Sequence, residues 1–399
     1  MNGKRRKRLR ARSRDEIMPL IDLCKKGHLF EVQQWIAEGK PVNLPFDDPK
    51  CRRLLSPLET ALDSGFHSLV AVLLDGGAIQ ESEGWDAPIY RPIRQRRLDL
   101  IELLVAHGMD MGTVDMREVF HSWDPVIMEY FIERGANPER DYPLASAFCS
   151  RIRTALKIYK KYKDRFPSFQ EQLNIALRYH SAEGNLKWVS LMLWAGADPY
   201  ALGRKSPEEK MEDGHSGWSA MQYAALRGRR EVVDLLTKRN FKPDHLEVLE
   251  ALAWASTDEG VEIIENLLDR GVDLAAHPQE ASNALQRHLT RLDWSITFWL
   301  STPETRKNID NEKAMNGMKA IHILAKHGAR WLPNVDDIKM ARRTLVKMAP
   351  VYSVEFAWIM AHYKACARAA LEELFRTNSI VAHLCLESRR IDELIGAMD

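Results

Sequence analysis

Apolar residues recur three and four positions apart in a phrase that returns along most of the chain, a short stripe closed by a glycine. The first copy is Val32-Gln33-Gln34-Trp35-Ile36-Ala37-Glu38-Gly39. Others run from Val70 to Gly77, Leu100 to Gly108, Met128 to Gly135 and Val189 to Gly196, and later copies end at Gly271 and Gly328. The spacing predicts amphipathic helices, each ended by a residue able to adopt the left-handed conformation at C′. From Gly39 to Gly328 the glycines lie 38, 31, 27, 61, 75 and 57 residues apart. If each of the last three gaps holds two units, nine steps average about 32 residues. After two stripes, Ala136-Asn137-Pro138 and Ala197-Asp198-Pro199 place a proline where it stops the helix and favours an extended finger.

A shorter helix is predicted upstream of each stripe. Its clearest copy is Trp218-Ser219-Ala220-Met221-Gln222-Tyr223-Ala224-Ala225-Leu226-Arg227-Gly228, followed by Val232-Val233-Asp234-Leu235-Leu236. Further copies are Ser56-Pro57-Leu58-Glu59-Thr60-Ala61-Leu62, Ala87-Pro88-Ile89-Tyr90, and Met18-Pro19-Leu20 through Gly27-His28. These residues resemble the ankyrin repeat family pattern of a turn, T-P-L-H-x-A-A, a glycine and a V-V-x-L-L helix. The resemblance covers roughly residues 17 to 335. The family's histidine is absent from the quoted copies, and the stretches near 150 to 170 and 280 to 305 lack the closing glycine, so those units read as helix pairs without finger loops. The resemblance implies an all-α, ankyrin-repeat-type α-solenoid used for protein recognition and without catalytic residues of its own. The expected organisation is a basic, disordered arm over 1–14, a degenerate array over 15–335, and a helical C-terminal cap over 336–399, which would cover the last apolar face.

Composition agrees with a repeat array, because 399 residues exceed what one compact core usually supports. Hydrophobic residues make up 45% and charged residues 28%, and no stretch is long and apolar enough for a membrane span. The basic N-terminus has no apolar segment after it, so it does not read as a secretory signal, and a cytoplasmic location is expected, or a nuclear one in a eukaryote. Five cysteines, Cys24, Cys51, Cys149, Cys366 and Cys385, form an odd set without zinc-type spacing and read as reduced, small hydrophobes.

The sequence contains no GxxxxGK[ST], GxGxxG, HExxH or GxSxG motif, and Gly214-His215-Ser216-Gly217 has the wrong spacing for a nucleophile elbow. Glu208-Glu209-Lys210 reads as a solvated charge run. His322 and His327 are five apart, where two metal ligands on one helical face would sit four apart. His107 and His327 each precede a closing glycine and are expected to bond the last helical carbonyls. No catalytic, cofactor or metal residue is assigned, and the chain is expected to be a non-enzyme without cofactor.

Candidate contacts come from aromatic and basic residues. Trp35, Trp194, Trp299 and Trp358 fall in apolar stripes and read as core, whereas Trp85 and Trp218 lie in turns before a first helix, where fingers project. The longest insertion, Tyr200 to Gly217, adds Tyr200, Lys205 and Glu208 to that edge. Residues 1 to 14 carry eight basic and no acidic side chains, Lys4, Arg5, Arg6, Lys7 and Arg8 among them, while the whole chain is +1, leaving −7 elsewhere. Arg91, Arg94, Arg96 and Arg97 form a second basic cluster, and Arg151, Arg153, Lys157, Lys160, Lys161, Lys163 and Arg165 a third. The expected function is a protein-interaction scaffold or adaptor binding one or more proteins through a concave face and fingers. The alternative is a nucleic-acid-associated sensing or targeting subunit of a larger assembly, such as a host-defence complex, tethered by the arm. An effector activity within 336–399 ranks last.

Overall fold

The computed structural model describes residues 9–46, 48–51, 54–80, 87–210, 217–238, 241–255, 259–300 and 311–333, with isolated positions between 336 and 369. For 293–300 and 311–315 it describes the backbone alone. Among these residues eighteen α-helices and no strand occur, and the helices follow one another as nine pairs. The first five pairs are α1 (Arg14–Lys26) with α2 (Leu29–Ala37), α3 (Pro57–Ser64) with α4 (His67–Asp75), α5 (Tyr90–Gln95) with α6 (Leu98–Ala106), α7 (Met116–Phe120) with α8 (Pro125–Glu133), and α9 (Pro143–Cys149) with α10 (Ala155–Tyr162). The rest are α11 (Ser168–Glu183) with α12 (Leu186–Ala195), α13 (Ala220–Leu226) with α14 (Arg230–Leu236), α15 (Leu246–Trp254) with α16 (Gly260–Asp269), and α17 (Pro278–Leu300) with α18 (Asn311–Lys326). The chain divides inside α11 into two compact units, residues 1–173 and 174–399.

Each helix is held by the stripe the sequence displays. In α1 the buried residues are Ile17, Leu20, Ile21 and Cys24, one face at three- and four-residue spacing. In the first unit α3 packs on α1 and α5, α5 on α7 and α7 on α9, while α4 packs on α2 and α6. In the second unit α13 packs on α15 and α15 on α17, with α14 between α12 and α16. First helices start at strong caps where the sequence resembles the repeat motif. Ser56 and Ser219 cap α3 and α13, and Glu59 and Gln222 reach back to the cap N–H at 2.8 and 2.6 Å. Glutamate and glutamine thus close capping boxes at the motif position where histidine is missing.

Within the first seven pairs, one backbone device turns the chain. A residue one to three positions past the first helix takes a left-handed conformation at Gly27, Gly65, Arg96, Trp123, Arg151, Gly184 and Gly228. Every one of these N–H groups donates to the carbonyl three residues back, from Gly27 to Cys24 and from Gly228 to Ala225. At Arg97, Ile152 and Arg229 the following N–H donates five residues back, which completes a Schellman turn. The next pair then reaches into this turn. Arg97 donates Nη1 to the Gly65 carbonyl at 3.0 Å in the first unit, and in the second Arg229 donates Nε to the Ala182 carbonyl at 3.2 Å.

Successive pairs are also joined by polar contacts, several of which repeat one separation. His107–Asp75, Lys161–Glu129 and Arg165–Glu133 in the first unit, and Arg230–Glu262 and Asn266–Asp234 in the second, all join residues 32 apart. Exposed pairs of this kind contribute about 0–1 kcal/mol each, so they select the register more than they hold the stack. Buried apolar side chains, at roughly 1.5–3 kcal/mol apiece, do the holding.

Three expectations change. The gap from Gly271 to Gly328 contains one pair of long helices among the described residues, so eight steps of about 36 residues, not nine, separate Gly39 from Gly328. Glycine spacing cannot distinguish two short pairs from one long pair. Residues 9 to 13, assigned to the free arm, are pinned instead: Arg10 bridges Asn43, Ala11 donates to the Asn43 carbonyl at 2.9 Å, and Ala11 is buried. Main-chain bonds hold this segment, and its charge gives no sign of them. Trp194, read as core, is 59% exposed, because it lies off the buried face set by Trp188, Val189 and Met192. By contrast, His107 and His327 each place Nδ1 2.8 Å from a carbonyl four residues back, in the capping role expected of them. Burial pushes the Cys24 thiol up to about 12, in keeping with an inert core residue. At the C-terminal end of the second unit, Tyr363 is buried with its ring 4.5 Å from Trp331, while most of 336–399, Trp358 and Cys385 included, lies outside the described residues.

Gly65→Ala should lower stability by about 1 kcal/mol or more, since Gly65 has φ 68° and a Cβ there would stand 2.9 Å from Arg97 Nη1. Urea denaturation gives the difference, and an unchanged midpoint would refute the turn argument.

Candidate functional site

The insertion of the second unit leaves α12 at Gly196 and returns to α13 at Ser219, and it is built as a closed finger. Asn174 Oδ1 accepts the Asp198 N–H at 2.9 Å, and Asp198 in turn accepts the Tyr200 N–H at 2.9 Å. Beneath the finger the fully buried Arg178 donates Nε to the Arg204 carbonyl at 2.7 Å and Nη1 to the Ala201 carbonyl at 3.0 Å. Charge-assisted bonds of this type are about twice as strong as neutral ones, so two loop carbonyls are fixed from below. The neck is shut by Trp218 N–H donating to the Gly203 carbonyl at 3.2 Å. Gly217 lies so close to this backbone that a Cβ would fall 2.3 Å from the Gly203 oxygen. Residues 211–216 lie outside the described residues.

Aromatic rings and cations line the helices next to that neck. Tyr200 stacks on His245 with centroids 4.3 Å apart, and its hydroxyl accepts the Lys242 N–H at 3.1 Å. Trp218 stands 5.4 Å from Tyr223 and 4.6 Å from Trp254. The Arg287 guanidinium lies 3.9 Å over Trp254, Arg291 lies 5.7 Å from the same ring, and the Lys205 ammonium is 5.9 Å from Tyr223. Arg291 is also spent on the carbonyls of Trp254 and Ala255. The result is a row, Lys205, Tyr223, Trp218, Trp254 and Arg287, carried by the finger, α13, α15 and α17. Trp218 and Trp254 are half-buried and Arg287 is exposed.

One carboxyl beneath the row is out of balance. Glu247, at the start of α15, is 5% exposed, and its Oε2 has no hydrogen-bond partner among the described residues. Burial, then the nearby Glu250 carboxylate, pushes its pKa up to about 7. Glu250 itself accepts from Gln222.

The structure gathers some of the residues singled out in the sequence and separates others. Tyr200, Lys205 and Trp218 meet at the finger, Tyr200 and Trp218 each packed against a neighbouring ring, while Glu208 is exposed on the same loop. Trp85 and the arm residues Lys4, Arg5, Arg6, Lys7 and Arg8 lie outside the described residues. Of the second basic cluster, Arg91 is bound to Glu59 and Asp63, Arg94 to Glu118 and Arg97 to Asp99, and Arg96 alone points out unpaired among the described residues. In the third, Lys161 pairs with Glu129, Lys160 is exposed, and Arg153 and Lys157 are exposed with no ion pair among the described residues. Trp254, Arg287 and His245 escaped the sequence reading, since no local motif marks them. The signal available was position, because Trp254 closes a first helix that starts one repeat after Trp218.

Among the described residues no helix is long and apolar enough to cross a membrane, and no group of three or more His, Cys, Asp or Glu is placed to hold a metal ion. No family model matches the sequence, and no curated protein matches it. Among solved structures, the ankyrin repeat domain of human ASB11 aligns with 63% of this chain and 97% of its own, at 18% identity and a TM-score of 0.32.

Gly217→Ala should force the neck apart at a cost of about 1–3 kcal/mol. Amide exchange at 201–205 should accelerate several-fold, and unchanged protection would show that the neck is not closed. Glu247 gives a signed pH effect. Its folded pKa lies above the ordinary 4.5, so between pH 4.5 and 7 the folded state holds a proton that the unfolded state has lost, and stability falls as pH rises. Glu247→Gln should remove about 1–3 kcal/mol of that decline and melt higher than wild type at pH 8. Parallel stability–pH curves for the two proteins would refute the assignment.

Proposed function

We propose that the protein is a non-catalytic recognition scaffold, an adaptor of divergent ankyrin type that holds a protein partner on the finger and first-helix row of its second unit. Its sequence phrases, with their turn, short helix, glycine and longer helix, support the ankyrin reading, and the paired helices are the elements that reading requires. The observation that carries the function is the Trp218–Trp254 pair, half-exposed and flanked by Lys205 and Arg287. Tryptophan and arginine dominate the energetics of protein interfaces, because each removes a large rigid area from water and still offers a polar group. A row already ordered by ring and guanidinium stacking loses little side-chain entropy on binding.

The double variant Lys205→Glu with Arg287→Glu reverses both flanking charges without touching the core. Partners captured by the wild-type chain should bind it at least tenfold more weakly, with the melting temperature unchanged. Partners that bind both proteins equally would place recognition elsewhere.

A further inference from the structure

The left-handed turn position carries a second message. In pairs one, two, six and seven it is filled by Gly27, Gly65, Gly184 and Gly228, the residue type that adopts φ near +70° without strain. In the three consecutive pairs between them it is filled by Arg96 (φ 56°), Trp123 (φ 62°) and Arg151 (φ 63°). A large side chain in that conformation is strained, and a β-carbon so placed is tolerated only where something offsets it. Among the described residues nothing does so through these side chains. The side chains of Arg96 and Arg151 are exposed and make no hydrogen bond or ion pair among the described residues, and Trp123 is 47% exposed without a ring contact there. The turns are served by bonds to their main-chain groups, such as Thr154 Oγ1 donating to the Trp123 carbonyl at 3.0 Å.

All three belong to the first unit, and their turns are neighbours. α5 packs on α7 and α7 on α9, and His121 Nε2 lies 3.3 Å from Ser150 Oγ. Around Trp123 the apolar surface is extended by Val126, 58% exposed, and around Arg151 the charge is extended by Arg153, also exposed and without an ion pair among the described residues. Acidic side chains on this edge are committed: Asp99 to Arg97, Glu118 to Arg94, and Asp124 to the Val126 N–H that opens α8. A net positive edge with an exposed indole at its centre remains.

We infer that this edge is an interaction surface, separate from the finger row, for an extended acidic peptide segment carrying one apolar side chain at its middle. Neighbouring helices pack about 8–10 Å apart, so the three turns span roughly 20 Å. An extended chain in the polyproline II conformation advances about 3.1 Å per residue with three residues per turn, so positions three apart share one face and fall in step with successive turns. Carboxylates at positions one and seven meet Arg96 and Arg151, and the apolar side chain at position four covers Trp123 and Val126. Carboxylates suit these two guanidiniums, which accept planar bidentate pairing. A nucleic-acid strand is less well matched, because of the two exposed apolar groups only Trp123 offers a base a stacking face, whereas an apolar side chain covers both Trp123 and Val126.

The test uses the full chain and a fluorescein-labelled seven-residue peptide with glutamate at each end, phenylalanine at the centre and alanine between. Anisotropy should report binding that weakens with salt, and at least a tenfold loss in Arg96→Gly with Trp123→Gly and Arg151→Gly. That triple variant installs the residue the other turns use, so its melting temperature should stay level or rise. No binding by wild type, equal binding by the variant, or a lower melting temperature in the variant would each overturn the proposal. Binding of an oligothymidylate of similar length in place of the peptide would overturn it in favour of nucleic acid.

Discussion

The left-handed residue that closes the first helix of a pair is the constraint on which the arrangement rests. It reverses the chain within a few residues and ties off the helix end with two backbone bonds, from Gly27 to Cys24 and from His28 to Leu23 in the first pair. The carbonyls left at that end then receive a side chain of the following pair, as the Gly65 carbonyl receives Arg97 and the Ala182 carbonyl receives Arg229. Helix end and repeat spacing are thereby set by the same few atoms. A cation placed there also suits the negative end of the helix dipole. The 32-residue separation of several polar contacts in both units follows from this repetition.

Because the first seven pairs are closed in the same way, variation collects at the two edges, where it does not disturb packing. At the finger edge of the second unit the variation is an insertion, supported from below by the buried Arg178 and shut at Gly203 and Gly217. At the turn edge of the first unit it is a substitution, with Arg96, Trp123 and Arg151 in place of glycine. Both put indole and guanidinium groups at the surface on a backbone ordered by bonds of its own. Preorganisation of this kind separates the cost of shaping a surface from the act of binding.

Several features could be read from the chain because they are local. The stripes of Ile17, Leu20, Ile21 and Cys24, or of Ile263, Ile264, Leu267 and Leu268, show a 3.6-residue period that needs no partner to be recognised. The caps at Ser56 and Ser219, the glycines at 27 and 228, and the histidines at 107 and 327 are equally local. Other features depend on residues a full repeat away. The arginines at 91, 94 and 97 look like a basic patch until Glu59, Asp63, Glu118 and Asp99 are brought beside them. Trp194 has the spacing of a core residue, yet it falls outside the contact line of α12. Arg96, Trp123 and Arg151 carry no sign of a left-handed backbone, since that conformation is announced only by glycine or asparagine.

The sequence by itself determined the class of the fold, the pairing of helices, the caps that start and stop them, and the motif elements that make the unit repeat. Each follows from interactions within about four residues, where helical periodicity and end chemistry act. It did not determine which helix of a pair is longer, since α1, α11 and α17 exceed the helices that follow them. Tertiary structure alone decided that the final glycine interval holds one long pair, which cations are neutralised, and which aromatic groups reach solvent. Those outcomes depend on what the neighbouring repeat places within a few ångströms, and a side chain 32 residues away leaves no periodic mark on the residue it will meet.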